Sequence, residues 1–600
     1  MKSLSYLNKY LYKYRWRLAL GIFFVAISNL FAIFPAQIIR HAFDLVKETI
    51  DIYTLHQGFQ VQNDIYSIFS KYLLYFGLIV VALALIKGIF MFFMRQTIIV
   101  MSRLIEYDLK NEIFGHYQKL SLSFYKRNST GDMMARITED VSRVRMYLGP
   151  AIMYTINLAV LFILVVATMI VVNPMLTLYV LLPLPVLSIS IYYIQSIINE
   201  RSERVQNQLS VISTFVQEAF SGIRVLKSFV RENQSATDFA AEADEYRKRS
   251  VNLAWVDAFF QPLMLLLIGL STLLTVYVGG LGAISGEITV GNIAEFIIYV
   301  NMLTWPVAAV GWVTSLVQRA AASQERINEF LRTEPEITTP HHEPENIDGK
   351  IEFKNVTFIY PDSGVTALKN VSFKIDKGKS LAVLGRTGSG KSTIASLITR
   401  SFDTTSGQVI IDDKDVKEHN LEELRDQIGY VPQDVFLFSD TIANNIAFGL
   451  KDSHTEKLMQ RVEKAAKDSA VHENIIQFPQ GYETRMGERG ITLSGGQKQR
   501  VSIARAIVKN PSILIFDDSL SAIDTKTEEK ILNNLKTVME RKTTIIISHR
   551  VSSIKHIDHI IVLDSGEIVE EGNHSSLMNK KGIYYDLYQK QLLEEEKSEI

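Results

Sequence analysis

Six long apolar runs, all within about the first 325 residues, constrain this 600-residue chain more than any other feature. They lie near 18–39, 72–94, 151–172, 176–194, 259–278 and 293–317, each close to the ~20 residues a helix needs to cross a bilayer. In hydrocarbon every backbone N–H and C=O needs a partner within the protein, so runs of this length read as membrane helices. The basic start (Lys2, Lys9, Lys13, Arg15, Arg17) precedes a run of membrane length without a small-residue cleavage site. That pattern predicts a first span that stays, and no secretory signal peptide. Asn173-Pro174 alone joins the third and fourth runs, which predicts a tight hairpin.

Two connections of about fifty to sixty polar residues, 95–150 and 195–258, are rich in lysine and arginine. The segments Asn173-Pro174 and 279–292 have none. Basic loops stay on the cytoplasmic side, so both termini are expected there. The long connections read as helical extensions of the spans, with glycine-containing turns near Gly131 and Gly222. Lys87 falls inside the second run, beside the cluster Phe90-Met91-Phe92-Phe93-Met94. It reads either as a lining residue of a substrate path or as a lysine that snorkels to the interface. Its off-centre position favours snorkelling.

The rest of the chain differs in kind. Past a proline-containing connector at 331–350, short strand-like runs alternate with helical ones, which predicts an α/β domain over 351–600. His341-His342 on that connector reads as a pair of solvated residues. The balance of 63 basic against 64 acidic residues argues against a nucleic-acid partner. The absence of cysteine excludes disulfides, thiolate metal sites and cysteine nucleophiles.

The α/β half carries a phosphate-binding pattern. Gly385, Arg386, Thr387, Gly388, Ser389, Gly390, Lys391, Ser392 and Thr393 follow the short apolar run 379–384 and precede a helical one. The glycines let the backbone point several N–H groups inward, and the helix start adds its positive end. Lys391 is expected to reach the β- and γ-phosphates, and Ser392 to offer a hydroxyl to Mg²⁺. Downstream, the buried run 513–516 ends on Asp517, an acid placed to help hold that ion. Tyr360 lies upstream, where an aromatic ring can stack on a base.

Leu493-Ser494-Gly495-Gly496-Gln497, Gln433, Ser521–Asp524 and His549 complete a set that resembles the nucleotide-binding domain of the ATP-binding cassette (ABC) family. With six spans ahead of it, the whole chain resembles an exporter half-transporter of the multidrug or lipid-exporting type. The resemblance implies that Tyr360 stacks on adenine and that Gln433 contacts Mg²⁺ or water and senses the membrane half. It implies that Ser494, Gly495, Gly496 and Gln497 face the γ-phosphate held by an opposite subunit, and that Asp524 bridges that seam. His549 would stabilise the transferring phosphoryl group. The turns near Gly131 and Gly222 resemble coupling helices, and the working unit would be a dimer with two ATP molecules.

One position departs from the family pattern. After Asp517 a glutamate usually polarises the attacking water, and here the residue is Asp518. A carboxylate held back by one methylene is displaced by ~1 Å, which can cost on the order of 10²-fold in rate. The expectation is a site that binds ATP and hydrolyses it slowly, in a subunit whose intact Leu493–Gln497 motif serves a partner. A heterodimer is thereby favoured over a homodimer. The reading is a multi-pass protein of the cytoplasmic (inner) membrane that uses ATP and Mg²⁺ to export hydrophobic or amphipathic substrates by alternating access. Alternatives are an exporter-shaped importer of metal chelates and a regulatory, noncatalytic subunit.

Overall fold

From Arg15 to Leu331 the backbone is almost entirely helical, as a chain carrying such apolar runs must be. The computed structural model describes residues 2–339, 344–450, 457–487, 493–519 and 525–598. Among the described residues six helices are long and apolar enough to cross a membrane. They are α1 (Arg15–Leu55), α2 (Val61–Lys119), α3 (Thr130–Val172), α4 (Pro174–Ser221), α5 (Glu232–Ile284) and α6 (Val290–Leu331). Each contains one expected run and extends beyond it. The 59 residues of α2 make a rod of roughly 90 Å at 1.5 Å per residue, about three times the thickness of the hydrocarbon core.

Local chemistry sets the helix ends. Asn173 caps α4 by accepting from the Leu176 N–H at 2.8 Å, with Pro174 in the first turn. The hairpin expected at Asn173-Pro174 is therefore a side-chain cap. Thr289 and Asn292 form a reciprocal capping box at the start of α6. Asp44 of α1 accepts from the Gly291 N–H and the Thr289 hydroxyl, both at 2.9 Å, and so joins α1 to α6. One turn further on, the wholly buried Glu295 accepts from Arg40 at 3.1 Å and from the Tyr299 hydroxyl at 2.8 Å. A buried carboxylate persists only when paired in this way.

The chain divides into two compact units, Met1–Tyr117 with Gly131–Thr333, and Gln118–Thr130 with Glu334–Ile600. The second unit holds two sheets. In one, β1 (Ile351–Ile359), β2 (Thr366–Ile375), β4 (Ser406–Ile411) and β5 (Lys414–Asp415) lie in the order β2-β1-β4-β5, all antiparallel. The other contains β3 (Ser380–Gly385), β6 (Ile428–Val431), β7 (Ile513–Asp517), β8 (Thr543–Ser548), β9 (His559–Asp564) and β10 (Glu567–Gly572), in the order β10-β9-β3-β8-β7-β6. Five of those strands are parallel, and β7 and β8 are buried along their whole length, which explains their unbroken apolar sequence.

The short helix Leu122–Arg127 groups with this second unit, although in sequence it lies in an extension of the membrane half. Arg127 pairs with Asp362 at 2.6 Å and with Glu336 at 3.2 Å. The connector is likewise anchored at its far end. Glu345 accepts from Lys414, from His419 Nδ1 at 2.9 Å and from the Asn420 N–H at 3.1 Å. Burial alone would raise the Glu345 pKa, yet these hydrogen bonds outweigh it and hold the carboxyl at about 2. His341 and His342 lie outside the described residues.

A depressed carboxyl pKa contributes stability above the unfolded-state value, and that contribution is lost as pH falls through the folded one. Glu345→Gln should therefore destabilise the nucleotide half by about 1 kcal/mol near neutral pH. In urea unfolding the difference from the parent chain should shrink as pH drops from about 4 towards about 2.

Candidate functional site

Strand register builds the site. Leu384 of β3 pairs with Ser548 of β8, and Asp517 of β7 with Ile547, so three parallel strands reach one rim of the sheet together. The phosphate-binding loop leaves β3 there and enters α7 (Lys391–Ile398), Asp518 follows β7, and His549 follows β8. The crevice outside the carboxyl ends of parallel strands is where open α/β sheets place ligands.

The loop is shaped for close approach. Gly390 has φ +96°, and a Cβ there would stand 2.1 Å from the Ala367 carbonyl oxygen. No other residue type fits without moving the backbone. The Ser389 hydroxyl is buried and has no hydrogen-bond partner among the described residues. Lys391 donates to the Gly385 and Arg386 carbonyls, each at 2.8 Å. Burial pushes its ammonium pKa down, against the upward pull of Asp518 and Asp517. An ammonium satisfied only by loop carbonyls can turn to a phosphate at little cost.

Ser392 donates to Asp517 Oδ1 at 2.9 Å, and the Tyr430 hydroxyl donates to Oδ2 at 3.3 Å. Burial pushes the Asp517 carboxyl up, Ser392 and Tyr430 partly offset this, and Asp518 raises it further. No cluster of three or more His, Cys, Asp or Glu able to hold a metal exists among the described residues. A cation here would need phosphate oxygens to complete its shell. That suits Mg²⁺, which is commonly bound by one or two carboxylates with substrate phosphates.

Asp518 lies in the left-handed region at φ +46°. Its Oδ1 accepts from His549 Nδ1 at 2.8 Å and its Oδ2 from Gln433 Nε2 at 3.4 Å. Tyr360 meets Phe358 and Phe402 edge-on, and its hydroxyl lies 3.1 Å from Thr393 Oγ1. The ammonium of Lys126, from the short helix Leu122–Arg127, stands 4.7 Å from the centroid of the Tyr360 ring and 4.8 Å from that of Phe402.

One cavity of about 330 Å³ thus gathers Tyr360, loop residues including Gly390, Lys391 and Ser392, and Gln433, Asp517, Asp518 and His549. Ser494, Gly495, Gly496 and Gln497 do not line it. They open α8 (Gly495–Ile507), where Ser494 and Gln497 form a capping box. Asp524 lies outside the described residues. Sequence reasoning missed Lys126 and Tyr430. Tyr430 carried a usable signal, since it sits in the apolar run leading to Gln433, but Lys126 is distant in sequence and carried none.

Comparison with known proteins places this geometry in context. The sequence matches the ABC transporter transmembrane region over residues 18–307 and the ABC transporter family over residues 368–521. It is 34% identical to the probable multidrug resistance ABC transporter ATP-binding/permease protein YheI of Bacillus subtilis (strain 168), over 97% of this chain and 96% of that one. It is 33% identical to the ATP-dependent lipid A-core flippase of Syntrophus aciditrophicus (strain SB), over 88% of each chain. A bacterial Atm1-family ABC exporter solved with ATP bound superposes with a TM-score of 0.75 at 28% identity, covering 96% of this chain and 98% of that one.

Two outcomes follow for this cavity. Gly390→Ala should abolish ATP binding measured by equilibrium dialysis, because the added carbon meets backbone. Binding of Mn²⁺ together with nucleotide, followed by electron paramagnetic resonance, should weaken as pH falls, and at a higher pH than an ordinary aspartate would dictate. The raised pKa of Asp517 neutralises it earlier than an ordinary carboxylate, and Asp517→Asn should flatten the profile.

Proposed function

Because the chain belongs to the ABC transporter family, we propose that it is one half of a dimeric exporter that uses ATP to move hydrophobic or amphipathic molecules out across the inner membrane. Its six membrane helices make it a multi-pass membrane protein. One observation carries the reading: a cavity lined by the glycine-rich loop and holding the Ser392–Asp517 pair belongs to the same chain as those helices. The printed names of the relatives, multidrug transporter and lipid A-core flippase, support a substrate that partitions into the bilayer.

Within each cavity the loop N–H groups and Lys391 would hold the phosphates, and Ser392, Asp517 and Gln433 would hold Mg²⁺. That ion would supply charge neutralisation between the phosphates. Asp518 would orient the attacking water, with His549 fixing the Asp518 carboxylate and facing the γ-phosphate.

Two features support a dimer. Residues 494–497 stand at the N-terminus of a helix, suited to an anion, yet do not line this chain's own cavity. The short helix Ile223–Ser228 carries an apolar surface, with Phe220, Val225, Phe229 and Val230 exposed by 61–80%. A second chain would cover that tip and set its own cavity against residues 494–497. The basic loops favour cytoplasmic termini. Asp518 favours a heterodimer, since its carboxylate is drawn to His549 and stands one methylene short of a glutamate's reach. Nothing in the geometry favours import of metal chelates.

The Mg-ATPase rate of the chain alone, as a dimer in lipid, tests this. It should exceed Lys391→Ala only slightly, and Asp518→Glu should raise it by roughly 10- to 100-fold. A high parental rate unchanged in Asp518→Glu would sink the slow-site reading. Absence of ATP-driven uptake of any amphiphile into inverted vesicles, with the partner present, would count against export.

A further inference from the structure

A second cavity, of about 230 Å³, lies in the membrane unit between α1, α2, α3 and α6. Lys87 and Arg95 of α2 line it, with Asn29 of α1 and Asn157 of α3. No acidic residue lines it, and neither cation has an ion-pair partner among the described residues. This contrasts with Glu295, whose charge is answered by Arg40. We propose that this cavity binds the anionic head, a phosphate or carboxylate, of an amphipathic substrate. The proposal rests on the exporter reading and narrows its substrate class.

The face on which Lys87 stands argues for a binding role over snorkelling. Lys87, Met94 and Ile98 follow one helical stripe, and Met94 and Ile98 are buried against the protein. The opposite face, with Leu85, Ile89 and Phe92, is the exposed apolar one. A lysine that only needed to reach the interface would be tolerated there. Lys87 instead lines a recess of mixed polar and apolar character about seven residues, or roughly 10 Å, inside the inner end of the apolar run.

The amides complete the recess. Asn29 Nδ2 donates to Asn157 Oδ1 at 3.0 Å and to the Val25 carbonyl at 3.1 Å. The Asn157 oxygen is thereby engaged and its NH₂ group is left to donate. Two cations and an amide donor with no competing acid form a site for an anion. Arg95 lies eight residues nearer the inner end, roughly 12 Å along the helix, so a head group entering from the inner leaflet meets Arg95 before Lys87. Met91, Met94, Met153 and Met302 supply part of the remaining wall, and flexible thioethers adapt to apolar bodies of different shape.

The test is equilibrium binding of radiolabelled dodecyl phosphate to the full chain in phosphatidylcholine nanodiscs, with empty discs subtracted and no nucleotide present. Saturable binding is expected, displaced poorly by dodecyltrimethylammonium or dodecyl maltoside. Lys87→Gln with Arg95→Gln should weaken it about tenfold or more, while Lys87→Arg should retain it within about threefold, which separates lost charge from lost fold. If phosphatidylglycerol in the disc competes, a bilayer lipid is the natural source of the head group; if it does not, the source is a separate cargo. Either result supports the anion site. No saturable binding, equal affinity in the double variant, or equally tight binding of the cationic probe would overturn it. Loss of this binding with ATP-driven uptake intact would remove only this inference. Intact binding without uptake would remove the exporter reading instead.

Discussion

Leu384 pairs with Ser548, and Asp517 pairs with Ile547. Through those two rungs the glycine-rich loop, Asp517 and His549 arrive at one edge of a single sheet. A slip of one residue would turn the buried Asp517 to the other face of the sheet, away from Ser392, because side chains alternate along a strand. β8 sits between β3 and β7 and is buried throughout, so a slip would mismatch close packing on both faces and is strongly disfavoured. The Ser392–Asp517 hydrogen bond then joins the loop to the acid across β8, and the chemistry of the cavity follows from that join.

The membrane half obeys a different constraint. Its polar groups have no water to fall back on, so each must find a partner or have a use. Asp44 and Glu295 find partners, and in doing so they lock α1 to α6. Lys87 and Arg95 have none within the described chain, although they border a recess with room for one. The same physics thus separates structural polar residues from those available to a substrate.

Much of the architecture was legible in the residues alone. Six runs of membrane length can hardly be anything but spanning helices, and all six are found within helices that extend beyond them. The strand–loop–helix around Gly385–Thr393 was equally legible, since its glycines and lysine are contiguous and their geometry is local. Three features were less so. Lys126 is far from Tyr360 in sequence, yet its ammonium stands beside that ring. Glu345 read as part of a polar linker, yet Lys414 and His419 hold it. Lys87 read best as a snorkelling residue, because one-dimensional position says nothing of which face a helix buries.

The sequence by itself determined the two halves, the helical nature of the first, and the place of the glycine-rich loop between a strand and a helix. Those are properties of runs and contiguous motifs, where solvation and backbone geometry act within about twenty residues. Only the tertiary structure decided that Lys126 stands beside the Tyr360 ring, that Asp518 is engaged by His549, and that Lys87 lines one recess with Asn29 and Asn157. These depend on which strands pair and which helix faces touch, contacts between residues tens to hundreds of positions apart that local pattern does not encode.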